Sequence, residues 1–311
     1  MSLVNYCNFV KIMEKIRVAV VGYGNIGQYT LEAIETSPDM VCAGVVRRVA
    51  TKEGFPELAP YQVVTDIRDL GKVDVAILAT PSRLCEEYAR KYLALGINTV
   101  DSFDIHTSIV DYRNALMPLA KENGAVAIIS AGWDPGSDSI VRALMESMAP
   151  CGLSYTNFGP GRSMGHSVCA RSKAGVKDAL SMTIPTGEGL HRRMVYVELE
   201  EGASLDEVTR AILSDPYFSH DDTHVIPVES VEAINNVGHG VNLVRNGVSG
   251  KTHNQFFEFN MKINNPALTA QILVNVARAS LKQQPGCYTT IEIPVIDMLY
   301  GDRDKLIGTL V

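Results

Sequence analysis

The segment Val18-Ala-Val-Val-Gly22-Tyr23-Gly24-Asn25-Ile26-Gly27 constrains this chain more than any other. An apolar run ends in G-x-G-x-x-G and a helical pattern follows, which is the strand–turn–helix of a dinucleotide-binding unit. Each glycine has a task. Gly22 permits a tight turn, Gly24 lets the backbone approach a pyrophosphate, and Gly27 lets the helix pack on the strand. The N–H groups at the helix start then face an anion. A second apolar run, Met40-Val-Cys-Ala-Gly-Val-Val46, follows after one helix length. A glycine turn without a ligand is the plainer alternative.

The residues after that second run bear on the choice of nucleotide. Sites that prefer NAD place Asp or Glu about 20 residues beyond the glycines, on the ribose 2′-OH. Here the pair Arg47-Arg48 stands instead. Two guanidiniums suit a 2′-phosphate, so NADP(H) is expected over NAD(H). A solvated basic pair at a strand end is the competing reading.

With 311 residues the chain has room for one large domain or two modest ones, and 46% hydrophobic residues suffice for ordinary cores. A net charge of −7 argues against nucleic acid and anionic membranes as partners. No apolar run nears the ~20 residues that a membrane span needs. The lead-in before Lys15 shows neither an arginine-rich nor a long apolar stretch, so no targeting signal is expected. Cys7, Cys42, Cys85, Cys151, Cys169 and Cys287 form no C-x-x-C pair, which suits a reducing cytoplasm without disulfides or zinc.

The first half alternates strand and helix patterns. Strands are expected at 16–21, 41–46, 61–64, 73–79, 97–100 and 125–130, with helices at 26–36, 83–95 and 107–123. The strands are continuous Val/Ile/Ala runs, as in parallel strands covered on both faces. The fold class is therefore α/β, a doubly wound Rossmann-type parallel sheet, with a second α+β domain for substrate and dimerisation. That second part has turn-rich sequence, strands at 154–158, 194–199 and 255–263, and a helix at 204–214 opened by a Ser204–Glu207 capping box. In the last strand Phe257, Phe259, Met261 and Ile263 share one face, as in a mainly antiparallel sheet. A long helix is expected over 266–282. The nucleotide domain is placed at 15–135, completed by 266–311, around an inserted domain at 136–265.

In an open α/β sheet, ligands bind beyond the carboxyl ends of the strands. Three such ends are polar: Thr80-Pro81-Ser82, Asp101-Ser102-Phe103-Asp104 and Ala131-Gly132-Trp133-Asp134-Pro135. They bring carboxylates and the only tryptophan toward one edge, where Asp104 or Asp134 can hold an ammonium or act as base. Asp101 and Asp104 also suit helix capping, and Asp134 before Pro135 suits a turn. In the second domain, Phe158-Gly-Pro-Gly-Arg-Ser-Met164-Gly165-His166 reads as a glycine-rich loop able to receive a carboxylate. Thr183, Arg193 and His239 are candidates for another anion, with His239 in an exposed loop. Asn265 before Pro266 looks like a helix N-cap. The pair His220 and His224 has a ligand-like spacing but sits in loop sequence without a third ligand, so no metal is expected.

Taken together, Gly22–Gly27, Arg47-Arg48, Val100–Asp104, Gly132–Gly136, Gly159–His166, Gly238–Gly240 and Asn265-Pro266 resemble meso-diaminopimelate dehydrogenase. The wider group resembled is that of two-domain oxidoreductases related to glucose–fructose oxidoreductase and inositol dehydrogenase. The resemblance implies a homodimeric, NADP-dependent enzyme. It would reversibly deaminate the D-centre of meso-2,6-diaminopimelate to L-2-amino-6-oxopimelate, which closes to tetrahydrodipicolinate, and ammonia. Lysine and cell-wall precursor synthesis would be its setting.

By position, Tyr23 to Ile26 would line the pyrophosphate and Arg47-Arg48 the 2′-phosphate. Thr80, Pro81, Ser82, Ser102, Phe103 and Pro135 would flank the ribose and nicotinamide. Asp104, Asp134 and Trp133 would sit by the reacting amine, with Phe158, Met164 and Gly165 shaping the D-end. Thr183, Arg193 and His239 would hold the distal L-end, near Asn265. The short link Thr186–Arg192, where many members are longer, marks a sub-branch. Two rivals remain. One is a related enzyme acting on a sugar, polyol or aldehyde, although the Lys-Pro motif frequent there is missing. The other is a non-catalytic NADP sensor.

Overall fold

The computed structural model describes residues 14–234 and 238–311. The lead-in with Cys7 and the side chain of Met164 fall outside what is described. The chain divides into two compact units. One comprises the chain up to Ser139 together with Pro266–Val311, and the other is Ile140–Asn265.

The first unit is built on a parallel sheet. Its strands are Ile16–Val21 (β1), Met40–Val46 (β2), Val63–Val64 (β3), Val75–Leu78 (β4), Asn98–Asp101 (β5), Val126–Ile129 (β6) and Gly286–Thr289. Side by side they run Gly286–Thr289, β6, β5, β4, β1, β2, β3. The chain works outward from β1 to β3, then returns to place β4 on the other side of β1. That reversal is the switch point of a doubly wound sheet. Every residue of β4, β5 and β6 is buried, as expected for β-branched runs covered on two faces.

Helices Asn25–Glu35 (α1), Ser82–Leu93 (α2) and Ile109–Glu122 (α3) follow β1, β4 and β5. Leu78, Tyr92, Leu93, Leu116 and Ile129 are the fully covered centre of the packing that α2 and α3 make with the sheet. The helix expected from residue 107 instead opens with a tight turn at His106–Ser108. The strand expected at 61–64 keeps only two residues. The helix Ser137–Met148 (α4) is absent from the sequence expectation. Its apolar positions are not cleanly segregated, since Leu144 is 58% and Met148 40% exposed.

The second unit contains Cys151–Phe158 (β7), Gly161–Arg162 (β8), Met164–Arg171 (α5), Val176–Gly187 (β9), Leu190–Leu199 (β10), Leu205–Leu213 (α6), Asp222–Pro227 (β11), His239–Ser249 (β12) and Thr252–Ile263 (β13). One sheet has the order β11-β10-β9-β8 and the other β13-β12-β7. All pairings are antiparallel except β10 with β11. Val176, Ala179, Val195, Val197, Val208, Ile212 and Phe218 form one core of this unit. Along β13 the faces alternate, with Phe257, Phe259, Met261 and Ile263 the less exposed set.

Several expectations are corrected here. The glycine-rich loop of 159–166 is the short strand β8 followed by the first turn of α5. The loop sequence around His224 is strand β11. His239 is no exposed loop residue: it opens β12 and is only 9% exposed. Its flanking glycines admit a close neighbour, since a Cβ on Gly238 would lie 2.8 Å from the Ile263 carbonyl oxygen and one on Gly240 2.8 Å from that of Met261. Ser204 is the N-cap of α6, but its side chain makes no capping bond, so the Ser204–Glu207 box does not form. At an exposed helix end water satisfies those N–H groups, and Asp206 and Glu207 still favour the dipole. Asn265 is the first residue of the long helix Asn265–Ser280 (α7) rather than the residue before it.

Arg278 on α7 locks the first unit. It donates to both carboxylate oxygens of Asp39, at 2.6 and 2.8 Å, and to the Met298 carbonyl at 2.7 Å. Burial would raise the Asp39 pKa, but the Arg278 bonds and charge outweigh it and hold the carboxyl below its ordinary value. Replacing Arg278 strands a largely buried carboxylate. Arg278→Leu should cost roughly 3 kcal/mol at neutral pH in urea unfolding. Because a depressed carboxyl stabilises only while ionised, the gap to the parent protein should narrow as pH falls through the Asp39 pKa. Parallel pH profiles for the two proteins would refute the pairing.

Candidate active site

The glycine turn has the geometry its motif demands. Gly22 has φ +93°, and a Cβ there would lie 2.4 Å from the Ala79 carbonyl oxygen at the end of β4. A Cβ on Gly27 would lie 2.4 Å from the Gly22 oxygen. Around Gly24 the space is open: nothing lies within 4 Å of where its Cβ would be. Gly24 caps α1 without a side-chain bond, and the first turn carries no acidic residue. The N–H groups of Asn25, Ile26 and Gly27 thus form an uncapped, unopposed helix start. Tyr23 and Ile26 are half-buried and Asn25 is exposed.

Arg47 and Arg48 have different surroundings. Arg48 is exposed. The Arg47 guanidinium lies 4.3 Å from the centre of the Phe55 ring and 6.0 Å from that of Tyr23, and it donates to the Thr51 carbonyl at 2.6 Å. The two rings meet edge to face at 5.6 Å. The Tyr23 hydroxyl donates to Glu57 at 3.2 Å, and burial followed by the Glu57 charge pushes its pKa to about 12. Arg47 is therefore held by cation–π contacts. Phe55 and Glu57 gave no sequence signal, because they come from a stretch without periodicity.

At the ends of β4, β5 and β6 the polar turns come under one buried carboxylate. Asp101 is 0% exposed. It accepts from the backbone N–H groups of Phe103 and Ser130, each at 3.0 Å, and from the Tyr112 hydroxyl at 2.7 Å. Burial holds its pKa above the usual carboxylate range, although the three donors pull the other way. Asp104, three residues beyond the strand's end, is exposed and accepts from the Ser82 hydroxyl at 2.6 Å; its own N–H donates back to that oxygen at 3.2 Å. Thr80 and Ser102 are half-buried and Pro81 is exposed. Phe103 is a core residue, its ring tilted against that of Tyr112 at 4.6 Å.

The turn after β6 folds back on itself. Gly132 N–H donates to the Pro135 carbonyl and Asp138 N–H to the Trp133 carbonyl, each at 3.0 Å. Trp133 and Pro135 are buried, Asp134 is half-buried, and the Asp134–Pro135 peptide is cis.

The second unit gathers a second set. Arg193 and Thr183 are direct partners across β10 and β9. The Arg193 guanidinium donates to the Thr183 hydroxyl through one terminal nitrogen and to Asp221 through Nε at 2.6 Å. Three imidazoles surround this group. Phe158 N–H donates to His191 Nε2 at 2.8 Å, and the Phe158 ring lies 5.7 Å from His191 and 6.2 Å from His239. His239 Nδ1 accepts from Gly240 N–H at 2.8 Å. His166 Nδ1 lies 2.8 Å from the Ser163 hydroxyl, and its ring meets Tyr217 edge-on at 5.2 Å. Burial, and then the Arg193 charge, lowers His191 and takes His166 down to about 4. Burial leads for His239 as well. Neutral imidazoles thus line a charged arginine. Gly165 is exposed on α5 close to Tyr217, and Asn265 is half-buried.

His191, His166 and Asp221 were not singled out from sequence. His191 was within reach, because strand alternation puts it on the same face of β10 as Arg193. Asp221 lies in the segment read for metal-ligand spacing, and His224 there bonds Asp222 at 2.8 Å.

The family model of the diaminopimelic acid dehydrogenase C-terminal domain matches residues 132–192, and that of an oxidoreductase family with an NAD-binding Rossmann fold matches residues 16–128. A meso-diaminopimelate D-dehydrogenase of Bacteroides fragilis is 65% identical over 299 residues, covering 96% of this chain and 100% of the relative. A meso-diaminopimelate D-dehydrogenase of Corynebacterium glutamicum is 31% identical, covering 95% of this chain and 99% of the relative. The solved structure of C. glutamicum DAP dehydrogenase in complex with DAP superposes with a TM-score of 0.85 at 29% identity, covering 96% of this chain and 100% of that one. An engineered D-amino acid dehydrogenase bound to NADP+ gives 0.79 at 29% identity, with the same coverage.

The His166 environment has a measurable consequence. Its folded pKa of about 4 lies below the ordinary 6.5, so the unfolded chain takes up the proton first as pH falls. Relative to His166→Gln, the parent protein should lose roughly 1–3 kcal/mol of stability between those two pH values and no more below them. Denaturant midpoints measured across that range decide it, and identical slopes would rule out a buried neutral imidazole.

Proposed function

The chain belongs to the meso-diaminopimelate D-dehydrogenase family, and we propose from that premise that it oxidatively and reversibly deaminates the D-centre of meso-2,6-diaminopimelate with NADP+. The products are L-2-amino-6-oxopimelate, which closes to tetrahydrodipicolinate, and ammonia, in lysine biosynthesis.

The residues fit the nucleotide. An uncapped α1 with open space over Gly24 suits a pyrophosphate, and Arg47, braced on Phe55, suits a 2′-phosphate. When bound, NADP+ supplies the hydride acceptor. The chain's own residues do the remainder. The substrate ammonium must lose a proton before its carbon is oxidised, and Asp104 or Asp134 takes it. The carboxylate that stays ionised favours the iminium charge that follows, and water adding to that iminium releases ammonia. Ser82, bonded to Asp104, acts by holding that carboxylate rather than only by touching the nucleotide. Arg193, Thr183 and His239 hold the distal carboxylate and so fix which centre reacts.

The observation that carries this reading is Arg193, seated between Thr183 and Asp221 among neutral imidazoles. A panel of meso-diaminopimelate, its LL isomer and D-alanine, each with NADP+ and NAD+, tests it by the absorbance of the reduced nucleotide. Turnover should be confined to the meso compound with NADP+. Arg193→Met should raise the KM for that compound roughly ten-fold or more and leave NADP+ binding alone. Of Asp104→Asn and Asp134→Asn, the one that removes the base should lose about 10²-fold or more in kcat. Preference for a sugar or polyol, or binding of NADPH without any turnover, would overturn the assignment.

We also propose a homodimer in the cytoplasm. No described helix is long and apolar enough to cross a membrane. The described cysteines are free thiols, which suits a reducing compartment. On the β13-β12-β7 sheet, Leu153 and Phe256 flank Asn246 from either side and are 64% and 57% exposed, an apolar patch that suits a second copy. Light scattering of the intact protein should give twice the mass of one chain, and a single-chain mass would refute the dimer.

A further inference from the structure

Arg193 is half of a charge pair, and the other half has no assigned task. The Asp221 carboxylate sits 2.6 Å from Arg193 Nε, with side chains 27% and 14% exposed. One residue along, where β10 pairs with the start of β11, Arg192 and Asp222 make a pair of equal length that is about half exposed on both sides. The outer pair serves as a strand cross-link in water and is worth little. The inner pair differs in the respects that matter to a ligand. It is drier, its arginine is also bonded to Thr183, and the neutral imidazoles of half-buried His191 and buried His239 face it. A receptor for a plain carboxylate has no use for an anion beside its arginine, because that anion repels the ligand and competes for the guanidinium.

An α-amino acid head group is different. It carries a carboxylate and an ammonium on adjacent atoms. An arginine with a carboxylate at its side matches that pattern. The guanidinium has five N–H donors in a fixed fork, and the Asp221 and Thr183 bonds use two. Asp221 meets Nε through Oδ2, which leaves Oδ1 as a second acceptor.

We propose that Asp221 is a specificity-determining residue that binds the unreacted L-ammonium of the substrate, while Arg193 takes the neighbouring carboxylate. The inference rests on the reading of Arg193 given above and deepens it: the distal site takes a zwitterionic amino acid head group and not simply a second carboxylate.

The test compares meso-diaminopimelate with D-2-aminopimelate, which keeps both carboxylates and the reacting amine but lacks the distal one. The parent enzyme should favour the diamino compound at least ten-fold in kcat/KM, mostly through KM. Absence of that preference overturns the proposal whatever any variant does. Asp221→Asn should erase most of the preference by weakening the diamino compound alone, with kcat little changed. Asp222→Asn, which disturbs the outer pair and the His224 contact but not Arg193, should leave the preference intact. Equal losses for both compounds in Asp221→Asn, or an equal shift in Asp222→Asn, would show a strand cross-link and nothing more. If the parent enzyme turns over neither compound, the proposed activity fails. Calorimetric binding of the two compounds with NADP+ present then still decides the role of Asp221 by the same ratio.

Discussion

Backbone touching backbone is the constraint on which the first unit depends. At the switch point, the end of β1, the start of α1 and the end of β4 approach so closely that no side chain fits between them. A methyl group on Gly22 would lie 2.4 Å from the Ala79 carbonyl oxygen, and one on Gly27 equally close to Gly22. Real contacts of that kind do not occur, so either substitution would force α1 away from the sheet. The same closeness aims the first N–H groups of α1 outward over Gly24. Fold and candidate phosphate site are here one steric fact. It is also why the sequence announces it: a requirement met only by glycine leaves glycines behind.

A second constraint left almost no trace in the sequence. Asp101 ends β5 with a carboxylate wholly out of water, and such a group must be given donors. The donors come from Phe103, Tyr112 and Ser130, spread over two different loops and a helix. Read alone, Asp101 fits a helix cap or a base equally well. Only the pairing of β5 with β6 brings Ser130 to it. Once these bonds form, the loop carrying Asp104 and the turn carrying Asp134 leave the sheet from fixed points. Asp101 thus acts on the candidate chemistry by position, and its burial makes it unsuited to handling substrate protons itself.

The second unit was harder to read, for a physical reason. Its sheets are antiparallel, or parallel at one edge, and their meaning lies in register. Thr183 and Arg193 are conspicuous as residue types, but it is the hairpin joining β9 and β10 that sets them opposite each other. The short link from Thr186 to Arg192 is that hairpin. His239 reads as a turn residue in the sequence because glycines on both sides usually mean an exposed turn. Here they let β13 come close, since a Cβ on either would lie 2.8 Å from a β13 carbonyl oxygen, while the Gly159 N–H bonds the Gly240 carbonyl at 2.7 Å. The α5 helix was hidden in the same way, by glycines and a proline belonging to the short strand before it.

On the proposed reading, the two units would recognise charge by opposite means. The first relies on backbone dipoles at a helix start, which need no titratable group and do not change with pH. The second keeps Arg193 charged while burial strips the proton from His166, His191 and His239. An imidazolium beside Arg193 would attract any anion and would draw Asp221 away from the guanidinium. A neutral imidazole keeps one donor and one acceptor and adds no net charge. Selectivity in such a site comes from the direction of its hydrogen bonds, and the Coulomb attraction is left to the Arg193–Asp221 pair, with Arg193 also oriented by Thr183.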